Sequence, residues 1–429
     1  MKIVLIGAGS RCFGRGQIAD LLAAQELRDR AVTLTLVDEN KPALELMARL
    51  AQRMKKKTGS KMEIEESTDR RKALRGADYV ILAVARKRYE LWEQDFRVPL
   101  TYGFRHCLGE NGGPGALFHA LRSLQIVMPV CEDIERIAPN ALLLNFTNPE
   151  ARVLHAILHL TKVKAAGICH GVFAALEAIE RYLGRPLDEL EVVSAGMNHF
   201  YHILKVRDRS TGKDLWPALR RKALADKNLP PLYRKLLEIF GIFTYTSDDH
   251  IGEYLSFGSE FHGVKWVYGR ECHKVTLEEK PANDLPLEEY ADGRRPIDGK
   301  ILAGSGEVTV PIICDIELDR KAVRPAVNVL NTELYIENLP AHAAVEVPAM
   351  VDAAGIHPLR VGALPEAWAA WIRTQVSIHA LLTEAWRTKS KNLLLQALLL
   401  DPVVNSITAT EKMLDCMLEL QSEFLPKFS

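Results

Sequence analysis

The chain lacks an excess of charge of either sign: its 429 residues carry 55 Lys and Arg against 55 Asp and Glu. That balance argues against a nucleic-acid or membrane-surface partner. Long apolar runs are missing too. Nothing approaches the roughly 20 residues of a membrane span, and the opening run Met1 to Ile6 ends at Gly7, too short for a secretory core. The seven cysteines are odd in number, scattered, and form no C-x-x-C pair, which favours reduced thiols over a disulfide framework. Internal repeats and low-complexity segments are absent. These absences together lead us to expect a soluble cytoplasmic protein.

What is present is 48% hydrophobic composition, enough for a core larger than one ordinary domain needs. Met1 to Ile6 reads as a buried strand, glycines follow, and "GQIADLLAAQEL" then repeats apolar residues at helical spacing. "AVTLTLVDEN", "ADYVILAVA" and "ALLLNF" read as further strands, with helical patterns between them. Strand alternating with helix predicts an α/β fold: a Rossmann-like, doubly wound parallel sheet over residues 1–190. An α+β substrate and oligomerisation domain with a helical C-terminus is expected over 191–429. There "LEVVSAGMNHFYHILKVRDRSTGKDL" reads as strands joined by an "STGK" turn, and the polar stretch 280–300 as a mobile or linking segment. The Leu and Trp stripes after Pro365 read as core or subunit interface, and a homodimer or homotetramer is expected.

Gly7, Gly9 and Ser10 lie between the first strand and the first helix, where a dinucleotide pyrophosphate rests on backbone N–H groups. The third position of the G-x-G-x-x-G fingerprint is Cys12. Asp38 closes the second strand; a carboxylate there takes ribose hydroxyls and repels a 2′-phosphate, which favours NAD over NADP. The plain alternative is a tight turn with no ligand.

"GICHGV" (167–172) and "GMNHFYH" (196–202) each follow a strand, the usual place for ligand chemistry in an open α/β sheet. The thiolate of Cys169 and the imidazole of His199 suit a borderline divalent cation in an open site that leaves room for substrate oxygens. Alternatively, a buried Cys is a small hydrophobe and a lone His a hydrogen-bonded core residue. "NFTNPE" (145–150) is a third polar loop, in which Asn148 is a candidate contact to substrate or nicotinamide. Glu110, in the glycine-rich "CLGENGGPG", is either a surface acid or a site acid. "TYTSDDHIGEY" (244–254) clusters Asp248, Asp249, His250 and Glu253, as a base or as a helix cap.

In order along the chain, "IGAGS", "GENGGPG", "NFTNP", "CHGV", "GMNHF", "DDHIGEY" and "NLPAHAAVEVPAMVDAAGIHP" resemble the family 4 glycoside hydrolases, over nearly the whole length. The resemblance implies an enzyme that needs NAD and a divalent metal, Mn2+ by family expectation, and acts on a small α-glycoside or short oligosaccharide. It implies oxidation at sugar C3, removal of the C2 proton, loss of the aglycone, addition of water and re-reduction. It makes Cys169 and His199 the metal ligands, and assigns Asn148, His170 and Asn198 to the substrate. The base is tyrosine or aspartate in different branches; alignment from Gly241 favours Asp248, with Asp249 and Tyr245 as rivals. Glu110 is the candidate general acid, and His170 should lie near the scissile oxygen.

Branches acting on 6-phosphorylated sugars look like C-D-M-P or C-N-[VI]-P, whereas this chain has C-H-G-V. The resemblance therefore points to free α-glycosides. Gly171 resembles the α-glucosidase and α-glucuronidase branch; "GALP" and "GIFTYTSDDHIGEY" resemble the α-galacturonidase branch, and α-galactosidase is a further alternative. Outside the family, the rival is a plain NAD-dependent dehydrogenase of a small hydroxy acid, which would begin with the same fold.

Overall fold

The computed structural model describes residues 1–264, 266 and 285–429. Its strands are β1 (Lys2–Ile6), β2 (Thr33–Val37), β3 (Glu63–Ser67), β4 (Tyr79–Leu82), β5 (Leu142–Asn145), β6 (Lys164–Gly167), β7 (Leu190–Met197), β8 (Phe200–Asp208), β9 (Ala322–Leu330), β10 (Ala344–Asp352) and β11 (Gly355–Pro358). They form one sheet in the order β3-β2-β1-β4-β5-β6-β9-β10-β7-β8, with β11 paired to β10.

The first six strands are parallel, in the 3-2-1-4-5-6 order of a doubly wound nucleotide-binding sheet. β4 is buried along its whole length, as a strand covered on both faces must be. β3 ("EIEES") carries its charges along the sheet edge, where they discourage pairing with another chain. Helix α1 (Phe13–Ala23) follows β1 and helix α2 (Lys41–Thr58) follows β2. Asn40 caps α2 by accepting from Ala43 N, Gly59 ends it in the left-handed region, and Lys55 to Lys57 sit where the helix dipole favours cations.

The second half extends the same sheet. β6 meets β9 in an antiparallel contact at Gly167 and Asn328, and β10, β7 and β8 follow. The helix Glu366–Thr388 spans both halves. Trp368 and Ile372 share a core with Phe200, whereas Ile378 and Leu382 share one with Val80 and Leu121. Leu394, Leu398, Met413 and Met417 from the last two helices complete that second core. The buried members of the late apolar stripes are thus core, each fully buried Leu or Ile contributing about 1.5–3 kcal/mol, whereas Leu400, Ile407 and Leu420 stay exposed. Those buried residues pack against residues from both halves of the chain.

Two expectations of local structure change. β7 and β8 join at Asn198–His199 rather than at "STGK", which follows β8 as a turn held by Asp208 Oδ1 accepting from Ser210 N and Thr211 N. Of the stretch 280–300, residues 280–284 lie outside the described residues, as does Cys272. The remainder packs: Tyr290 is buried, its carbonyl accepts from Arg53, and Arg11 pairs with Glu288 at 2.6 Å. Among the described residues no disulfide forms, and no helix is long and apolar enough to cross a membrane.

Candidate active site

The site lies where strands end. Gly7 leaves β1 with φ +91°, and a Cβ there would stand 1.9 Å from Ala83 O, so glycine is required on both counts. Gly9 N donates to Asp38 Oδ2 at 2.8 Å, Asn40 N donates to Asp38 Oδ1 at 2.9 Å, and Ser10 Oγ accepts from Phe13 N. The acid therefore shapes the loop, and its remaining lone pairs stay available to a ligand. Cys12 is exposed at the start of α1. A tight loop at the β1/β4 switch point, in which a Cβ on Gly9 would stand 2.7 Å from Asp38 Oδ2, brings the backbone close to that acid and fits a dinucleotide.

Cys169 sits between β6 and the helix Gly171–Leu183; His199 sits at the β7–β8 hairpin tip. Their Sγ and Nε2 stand 3.3 Å apart. His199 has φ +63°, a left-handed conformation uncommon outside Gly and Asn, and such strain collects at functional sites. Burial and nearby His250 push its pKa down to about 3, so the ring is neutral. Its Nδ1 is buried without a hydrogen-bond partner among the described residues. Burial and the acids Glu346 and Glu307 push the Cys169 thiol up; Gly171 N donates to its sulfur at 3.4 Å.

Among the described residues no group of three or more His, Cys, Asp and Glu side chains is arranged to hold a metal ion. The pair still fits two positions of an open site. Zinc-type bonds of about 2.3 Å to sulfur and about 2.0–2.1 Å to nitrogen put adjacent donors about 3.1–3.5 Å apart at angles of about 90–109°. The observed separation falls in that range, leaving the other positions for oxygen ligands.

Tyr245 borders this pair. Its ring centroid is 5.4 Å from that of His199, and a Cβ on Gly171 would stand 2.8 Å from its Cε2. Burial and the surrounding Cys169, Asp249 and Glu110 push its phenol up, so it is neutral here. His250 stacks on Tyr245 and pairs through Nδ1 with Asp249 Oδ1 at 2.7 Å. Burial works against charge on that imidazole, but Asp249 outweighs it and raises the His250 pKa.

Asp248, favoured from sequence as the base, is committed elsewhere. Its two oxygens accept from Leu232 N and Tyr233 N, each at 2.9 Å, at the start of the helix Pro231–Ile239. The carboxylate caps a helix other than its own. Glu253 also faces backbone: its Oε1 accepts from Glu110 N and Asn111 N at 2.6 and 3.0 Å and holds the glycine-rich loop.

Glu110 is buried, and Arg88 donates to its Oε1 at 2.8 Å, with Asn148 Nδ2 at 3.4 Å. Burial alone would raise its pKa, but the Arg88 guanidinium, with His250, outweighs it and brings it below the ordinary carboxylate value. A carboxylate anchored by arginine is poorly placed to be a general acid. Asn198, expected at the substrate, is 1% exposed and donates inward to Glu346 Oε2 at 3.4 Å. His170 is exposed at the start of the helix Gly171–Leu183, its Nδ1 2.8 Å from Glu307 Oε1. Arg88, Glu307 and Glu346 are the site residues the sequence reading did not name. The one local signal was Glu346, an acid inside the apolar run "AAVEVPAMV".

A family model described as "Family 4 glycosyl hydrolase" matches residues 2–185, and one for its C-terminal domain matches residues 194–404. The chain is 31% identical to an alpha-glucosidase of Erwinia rhapontici, over 99% of this chain and 98% of that one. It is likewise 31% identical to an alpha-galactosidase of Rhizobium meliloti, over 100% of this chain and 90% of that one. Among solved structures it is similar in fold to a 6-phospho-alpha-glucosidase from gut microorganisms in complex with NAD and Mn2+. That TM-score is 0.86 at 21% identity, covering 100% of this chain and 99% of the other.

Proposed function

The chain belongs to glycosyl hydrolase family 4, and on that premise we propose that it hydrolyses a non-phosphorylated α-glycoside, an α-glucoside first, using NAD and a divalent cation such as Mn2+. The observation that carries this reading is the 3.3 Å approach of Cys169 Sγ to His199 Nε2, with Tyr245 and His250 against it. When bound, NAD supplies a hydride acceptor for sugar C3 and the cation makes the C2 proton acidic.

The chain's own residues divide the remaining work. Gly7, Gly9 and Ser10 seat the pyrophosphate, and Asp38 takes the ribose. Cys169 and His199 hold the cation, whose positive charge opposes the burial that keeps the Tyr245 phenol neutral. As the phenolate that this charge would favour, Tyr245 would take the C2 proton and become the neutral phenol, and the Asp249–His250 pair keeps its ring in place. Glu110, fixed by Arg88, and Asn148 accept and donate hydrogen bonds to the sugar. His170, held through Nδ1 by Glu307, turns its other ring nitrogen to the sugar.

The absence of phosphate rests on His170 in the position after Cys169, and is supported by the relatives named alpha-glucosidase and alpha-galactosidase. The test is a panel of p-nitrophenyl α-glucoside, α-galactoside, α-glucuronide, α-galacturonide and 6-phospho-α-glucoside with NAD+, Mn2+ and reductant. Nitrophenol release from an unphosphorylated α-glycoside, lost on adding EDTA, is expected. Release from the 6-phosphate alone, or stoichiometric NADH with no sugar freed, overturns the reading.

A further inference from the structure

The loops bearing Cys169 and His199 leave the sheet from one row. Gly167 on β6 is opposite Asn328 on β9, Asn328 is opposite Glu346 on β10, and Glu346 is opposite Gly196 on β7. Cys169 lies just beyond Gly167 and His199 just beyond Gly196. Both outer joints of this row are weak in backbone terms: β6 pairs with β9, and β10 with β7, at one register position each. The backbone ladder alone does little to fix how far apart the two loops stand.

Side chains close the gap. Glu346 Oε2 accepts from Asn328 Nδ2 at 3.2 Å and from Asn198 Nδ2 at 3.4 Å. Asn328 Nδ2 also donates to Gly167 O at 3.3 Å. A continuous path therefore runs from Gly167 through Asn328 and Glu346 to Asn198, the neighbour of His199. Glu346 is 1% exposed, lies among buried apolar residues of β10, and forms no ion pair among the described residues; its Oε1 has no hydrogen-bond partner among them. Burying an acid in this way costs stability that a Leu or Met would not. Packing does not account for its presence.

We propose that Glu346 is a positioning residue: it ties the two site loops to one carboxylate and sets the spacing of Cys169 and His199. The proposal rests on the reading of that pair as cation ligands, and the test separates the two. Mn2+ affinity is measured from the electron paramagnetic resonance signal of free aqueous Mn2+, and NAD+ affinity by fluorescence, for wild type, Glu346→Gln and Glu346→Ala. The glutamine keeps an oxygen for both asparagines; alanine keeps none. Glu346→Gln is expected to bind Mn2+ within about threefold of wild type, and Glu346→Ala about 10–100-fold more weakly, as loss of an outer-shell partner does. NAD+ affinity should be unchanged in both. Wild-type protein that binds no Mn2+ overturns the cation site and this inference with it. Wild type that binds, with alanine equal to it, or with glutamine and alanine equally impaired, overturns the inference alone. Should Glu346→Ala also lose NAD+ binding, Asn328→Ala, which cuts the arm to Gly167, carries the same test with the same outcomes.

Discussion

Tyr245 and His250 lie face to face, with ring centroids 4.8 Å apart and planes 4° from parallel. His250 is in turn held by Asp249, so the phenol beside Cys169 and His199 sits on a supported platform. Tyr245→Phe keeps the stacked ring and removes the hydroxyl. It is expected to lower kcat by about 10²–10⁴-fold, the usual worth of a general base, with Mn2+ and NAD+ affinities near wild type. A loss below tenfold would contradict Tyr245 as the base.

Asp248 should behave differently. Its carboxylate caps the helix Pro231–Ile239, so Asp248→Ala is expected to cost about 1–3 kcal/mol, the range for a lost cap and charged hydrogen bonds. The melting temperature should fall while kcat/KM of the folded protein stays within about threefold of wild type, as expected of a residue outside the chemistry. Lost activity at an unchanged melting temperature would restore it as the base.

The contrast between these neighbours shows where the sequence was legible. The buried strands, the glycine turn and Asp38 are local patterns, and each lies where periodicity and turn chemistry put it. Asp248 follows Ser247 and opens the short helix Asp248–Gly252, so its sequence reads as a base or a cap of that helix; its actual partners lie 15 and 16 residues earlier. The β7–β8 turn was misplaced because "STGK" has stronger turn composition than Asn198–His199, whereas the hairpin register puts the tip at the histidine. Arg88, Glu307 and Glu346 reach the site from a helix, a loop and a strand far apart in sequence, and no spacing rule connects them. Cys169 and His199, 30 residues apart, were joined as a candidate pair because each follows a strand, with a plain core reading left open; the ordered set of motifs implied the ligand role.

Cys169→Ser should leave the fold and NAD+ binding intact and abolish Mn2+-dependent nitrophenol release. A thiolate is the better ligand for a borderline cation, and the hydroxyl does not replace it. A variant as active as wild type, with the same sensitivity to EDTA, contradicts the assignment.

Acid should destabilise the protein through buried neutral histidines. Burial lowers the pKa of His106 and His202 to about 4 and of His119 and His155 to about 3. Unfolded histidine titrates near 6.5, so below that value the unfolded chain binds protons that the folded chain does not. Stability is complete above about pH 6.5 and is lost as pH falls toward the folded values. At pH 5 each such group costs about 2 kcal/mol. Melting scans at pH 7.5 and 5.0 should show the drop, and His155→Gln should lessen it. Equal melting temperatures at the two pH values contradict this.

Proton removal at C2 is the step that separates this chemistry from ordinary hydrolysis, and turnover in D₂O reads it directly. With an unphosphorylated p-nitrophenyl α-glycoside, NAD+ and Mn2+, nuclear magnetic resonance of the released sugar should show deuterium at C2. A released sugar carrying only hydrogen at C2 would contradict the account.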